Sequence, residues 1–101
     1  MTQQTSTLYA KLLGETARIS WQELQPFFAK GALLWVAPAV DLIRVAEAMA
    51  DNDKSQVSAW LEAGDLQKVG EGLAAELLER EPELWAVVVS PWVLFQERAS
   101  S

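Results

Sequence analysis

The sequence predicts an α+β or α/β domain, with four or five helices packed around a small sheet of two to four strands. Two short runs, Ala32–Ala37 (ALLWVA) and Leu84–Val89 (LWAVVV), are apolar at every position, as strands covered on both faces are. Around them, apolar residues recur at the three- and four-residue spacing of a helical face. Capping residues and Gly or Pro stops punctuate those stretches at helix-length intervals.

The elements follow in order. Leu8, Leu12 and Ile19, with Tyr9 and Leu13, form a weak helical pattern, and Gly14 falls inside it or at its end. Ser20 and Glu23 have the S-x-x-E form of a capping box, in which each residue satisfies a backbone N–H of the other. Trp21, Leu24, Phe27 and Phe28 then line one face, and Lys30-Gly31 closes the helix. Pro26 lacks an N–H, so a kink or a late start is expected there. Ala32–Ala37 reads as the first strand. Asp41 caps the next helix, with Leu42, Val45, Ala46 and Met49 inward and Asp51-Asn52 at its end. Asp53 and Gln56 match a second capping box, leading into a helix with Val57, Trp60 and Leu61 inward and Gly64 as its stop. Leu66–Val69 reads as a short strand. Residues 71–81 return to helix, with Leu73, Ala74, Leu77 and Leu78 inward, Glu76 and Arg80 one turn apart outside, and Pro82 as terminator. Trp85–Val89 is rich in β-branched residues, and Leu84–Val89 is the second central strand, expected beside the first. Ser90-Pro91 breaks the ladder, and Trp92–Gln96 resumes as extended chain.

At 101 residues the chain is one domain. It is expected to occupy residues 8–97, between a disordered N-terminal tail at 1–7 and a polar C-terminal tail at 98–101. Half the residues are apolar and 22% are charged, a globular rather than disordered composition. There is no Cys, hence no disulfide or thiol chemistry, and no His, the commonest general base and metal ligand. Residues 51–83 hold nine acids against three bases and so carry the whole net charge of −6. That acidity opposes binding to nucleic acid and suits a basic partner or a solvated face. The N-terminus lacks the basic start and apolar stretch of a signal peptide. No apolar run approaches the ~20 residues that span a bilayer. A cytoplasmic protein without a membrane role is expected.

Three stretches stand out together: ETARISWQELQPFFAKG at 15–31, VAEAMADNDKSQVSAWLEAGDL at 45–66 and ELWAVVVSPWVLFQE at 83–97. They resemble a small bacterial family, domain of unknown function 2288, over roughly residues 8–97. The most distinctive pieces are Glu15–Ile19 with Trp21 and Leu24, Trp60–Gly64, and Ser90–Gln96. The resemblance implies a compact α/β-type domain of bacterial origin. It implies no known activity and supplies no site residues.

Few residues suggest chemistry. Asp51, Asp53, Ser55 and Glu62 mimic the first, third, fifth and twelfth positions of a calcium loop. The sixth position needs Gly and holds Gln56, and a helical apolar pattern runs through the rest, so capping is the better reading. Glu15 with Arg18, and Asp41 with Arg44 and Glu47, read as exposed ion pairs. No serine has a His partner, and no glycine-rich phosphate loop occurs. No catalytic residue, cofactor or metal is expected, although the fourteen acids leave two-carboxylate chemistry open.

The five tryptophans are more than a core of this size needs. Trp21, Trp60 and Trp85 fall on inward faces. Trp35 and Trp92 lie near prolines at strand ends, where an interface is expected. The candidate interface is therefore Trp35, Pro38, Pro91, Trp92 and Phe95. The leading expectation is a non-catalytic protein-interaction module, either homo-oligomeric or bound to another protein. The alternative is a small-molecule-binding protein or weak enzyme, with a pocket at the strand ends ringed by Trp35, Trp92 and carboxylates such as Asp41.

Overall fold

The computed structural model describes residues 7–97. The chain runs α1 (Thr7–Glu15), β1 (Ala17–Ile19), α2 (Trp21–Ala29), β2 (Leu33–Val36), α3 (Leu42–Ala50), α4 (Lys54–Ala63), β3 (Leu66–Lys68), α5 (Glu71–Arg80), β4 (Leu84–Val89) and β5 (Trp92–Glu97). The expected tails lie outside the described residues, apart from Thr7, which begins α1.

The fold is α+β, with five helices and one mixed sheet in the order β1-β4-β5-β2-β3. The central strand is β5, the segment read from sequence only as extended chain. It returns antiparallel along β4 through Ser90-Pro91, whose peptide bond is cis, with Val89 opposite Trp92. Its other edge takes β2 in parallel, from Leu33 opposite Val93 to Val36 opposite Gln96. The two strands expected to be adjacent, β2 and β4, are both interior but are separated by β5. The reason is local: a two-residue link forces the second half of the apolar run back onto the first. The fifth strand also exceeds the expected number. It is β1, and it holds Ile19, which the apolar spacing assigns to a helix. Three residues are too few to show a period, and antiparallel pairing of Ala17–Ile19 with Ala86–Leu84 defines the strand instead.

Alternation along the strands supplies two cores. Leu34, Val36, Val87 and Leu94 face Leu12 of α1 and Leu42, Ile43, Val45 and Ala46 of α3, with Val57 and Trp60 of α4 packed at the margin. Leu33, Leu84, Ala86, Val93 and Phe95 face Trp21 and Leu24 of α2 and Ala74 and Leu77 of α5. The chain's own helices therefore cover both faces of the sheet. Burying each large side chain of this kind contributes about 1.5–3 kcal/mol.

Two leucines predicted inward are exposed: Leu61 at 49% and Leu78 at 56%. Each stands next to an inward-facing neighbour, Trp60 or Leu77, and one residue turns a helix by about 100°. The α2 capping box is complete, with Ser20 Oγ accepting from the Glu23 N–H and Glu23 Oε1 accepting from the Ser20 N–H. That complete cap starts α2 at Trp21 without delay, and the helix continues through Pro26. The carbonyl that Pro26 deprives of a donor belongs to Gln22, an exposed residue.

Candidate functional site

Two clefts lie on the sheet face that carries α1, α3 and α4. The first is at the β4–β5 hairpin tip. Here α3 ends and α4 begins around a tight corner. Asn52 adopts φ 61°, and Asp53 Oδ1 accepts the Gln56 N–H at 3.2 Å. The second capping box is only half formed, because the Asp53 N–H donates to the Ala48 carbonyl at 2.8 Å instead. This corner and the hairpin tip enclose an open cleft of about 430 Å³. Its walls are the half-buried Met49, Val57, Val89 and Trp92, with exposed Pro91 beside them and Asn52, Lys54 and Ser58 at the rim. Lys68 Nζ lies 6.0 Å from the Trp92 ring centroid, within cation–π range.

The second cleft, about 510 Å³, is at the opposite end of β5, where β2 and β5 finish. Leu13, Pro38, Val40 and Trp85 line it, with Asp41 and Gln96. Asp41 caps α3 by accepting the Ile43 N–H at 2.9 Å, and its other oxygen accepts the Tyr9 hydroxyl at 2.7 Å. That hydrogen bond, then burial and the Asp41 charge, raises the Tyr9 pKa above 10.0. Gln96 donates its side-chain amide to the carbonyls of Ala37 and Val40, which holds the loop leading to Asp41.

A family model described as "Protein of unknown function (DUF2288)" matches residues 7–97. The chain belongs to this family. Among solved structures, it is similar to the NMR solution structure of PA1075 from Pseudomonas aeruginosa. The two share 68% identity over 99% of this chain and 93% of that one, with a TM-score of 0.83. No curated protein matches the chain.

In this DUF2288 domain the five candidate interface residues do not form one surface. Phe95 is 0% exposed under α2 and α5 and belongs to the core. Trp35 projects to the same face as Phe95, opposite Trp92, as their positions in the register require. The Trp35 indole N–H is buried and finds no acceptor among the described residues. Pro38 is exposed at the strand-end cleft, while Pro91 and Trp92 are at the hairpin tip. The predicted ring of Trp35, Trp92 and Asp41 is therefore not assembled, and Trp85 is the tryptophan beside Asp41. Strand alternation separates Trp35 from Trp92, but only once the pairing register is known.

The other candidates also resolve. Asp53 and Gln56 form a helix cap, not a calcium loop, and no metal-holding group of carboxylates occurs among the described residues. Arg18 pairs with Glu83 at 3.1 Å rather than with Glu15, because β1 lies beside β4. No charged or polar residue among those described is buried, and no helix among them is long and apolar enough to cross a membrane.

Proposed function

We propose that this DUF2288 domain is a non-catalytic protein-interaction module that receives an apolar side chain of another protein chain in the hairpin-tip cleft. One observation carries the reading. Pro91 and Trp92 present an apolar edge beside Met49, Val57 and Val89, with a hydrogen-bonded helix corner forming the opposite rim. Tryptophan is the residue type most enriched where interfaces concentrate their energy. At 430 Å³ the cleft is near the lower end of the ~300–1,000 Å³ range of ligand sites, a size suited to one or two side chains.

The test uses the full chain, tagged in its source cells, beside a Trp92→Ser variant shown to be folded by circular dichroism. Capture of one protein by the wild type and its loss from Trp92→Ser supports the reading. Equal capture by both overturns it. Light scattering across a concentration series tells whether the partner is a second copy.

The strand-end cleft favours a second reading, binding of a small molecule, because it places the Asp41 carboxylate among Leu13, Pro38 and Trp85. A small organic cation that raises the melting temperature of the wild type but not of Asp41→Asn would support it.

A further inference from the structure

We infer that the groove between α2 and α5 is a docking surface for a basic protein segment carrying an apolar side chain. This groove lies on the sheet face opposite both clefts described above, so the inference stands apart from the hairpin tip. It encloses about 380 Å³ and is lined by Trp21, Gln22, Gln25, Leu78, Glu81 and Pro82. Leu78 stands on its wall at 56% exposure, because Ala74 and Leu77 take the inward positions of α5 and leave Leu78 turned toward α2. Gln22 and Gln25 supply uncharged hydrogen-bonding groups on the other wall.

Charge selects the occupant. Residues 71–83 hold five glutamates and one base, Arg80. Arg80 is already engaged by Glu97 and Glu76, each at 3.0 Å, and Glu83 is held by Arg18. Of these glutamates Glu81 is the one that lines the groove, and it has no ion-pair partner among the described residues. Glu81 also stands at the C-terminal end of α5, where the helix dipole adds partial negative charge. The groove thus combines an apolar anchor point with an unneutralised negative end. A second copy would bring the same carboxylates into opposition, and a phosphate backbone would be repelled. A lysine- or arginine-bearing segment that sets an apolar side chain against Leu78 matches both features.

The test is an NMR titration of the ¹⁵N-labelled full chain with two synthetic amphipathic peptides of equal apolar content, one of leucine and lysine, the other of leucine and glutamate. The leucine–lysine peptide is expected to shift the amides of Gln22, Gln25, Leu78 and Glu81 saturably, with an affinity that falls as salt is raised. The leucine–glutamate peptide is expected to leave them unmoved. Leu78→Ser and Glu81→Gln, both at exposed positions, are each expected to weaken binding by about tenfold or more, while Trp92→Ser leaves it unchanged. Shifts spread over every acidic surface and insensitive to Leu78→Ser would overturn the inference. So would equal binding of the two peptides, or no saturable shift with either.

Discussion

Gln96, on the central strand, donates its side-chain amide to the Ala37 carbonyl at 2.8 Å, and so joins the end of β5 to the loop that follows β2. The same nitrogen serves Val40. Gln96→Ala leaves the Val40 carbonyl without its donor at a partly buried site, while the Ala37 carbonyl keeps the Val40 N–H at 3.0 Å, and is expected to cost about 1–3 kcal/mol. Gln96→Glu replaces the donor with a carboxylate that faces two acceptors. Its stability deficit at neutral pH should exceed that of Gln96→Ala. It should then shrink as the pH falls toward about 4.3, the value of a free glutamate, because two facing acceptors favour the protonated acid, which can donate, and raise the folded pKa above that value. Urea denaturation at two pH values checks both statements.

Phe95 and Trp35 share a sheet face and should respond differently to truncation. Phe95→Ala opens a cavity beneath α2 and α5 and is expected to cost about 3–5 kcal/mol. Trp35→Phe removes a buried N–H that has no acceptor, so the lost packing is offset by relief of a desolvated donor. Its net change is expected to lie within about 1 kcal/mol. Chemical denaturation of the two variants against wild type provides the comparison.

Asp53 is a helix cap. Asp53→Ala is expected to cost about 0.5–2 kcal/mol. Millimolar calcium should leave the melting temperature of the wild type unchanged. A calcium-dependent rise that Asp53→Ala abolishes would restore the metal-loop reading.

The Tyr9–Asp41 hydrogen bond gives a signed pH dependence. The Tyr9 pKa is raised in the folded chain, chiefly by that bond. Its contribution is therefore fully present below the unfolded value of 10.0 and is lost as pH rises through the higher folded value. Wild type should exceed Tyr9→Phe in stability at pH 8, by about 1 kcal/mol or less at this partly exposed site. The difference should decline above pH 10. A constant difference across that window would count against the bond.

Much of the fold is legible along the chain because it is written in local chemistry. Ser20 with Glu23, Asp41, Asp53 and Gly64 mark helix ends through hydrogen bonds or backbone angles that a few neighbouring residues determine. The apolar runs announce strands covered on both faces. What could not be read depends on partners distant in sequence. Arg18 meets Glu83 only because β1 pairs with β4. Leu77 and Leu78 are equivalent by period, and the position of the sheet decides which is buried. The candidate site was legible as a set of residue types at strand ends but not as a place. Its members fall in the core, on the far sheet face and at two ends of one strand.

The sequence alone determined that this chain builds helices around a doubly covered sheet, where most of them begin and end, and that it lacks the side chains for thiol or histidine chemistry. Those properties rest on residue type, period and capping, which act over a few residues. The tertiary structure alone decided that Trp92–Glu97 is the central strand, that Phe95 is core while Trp92 borders a cleft, and that Leu78 faces a groove. Each of those outcomes depends on strand register and helix placement, where a shift of one residue sends a side chain to the opposite face.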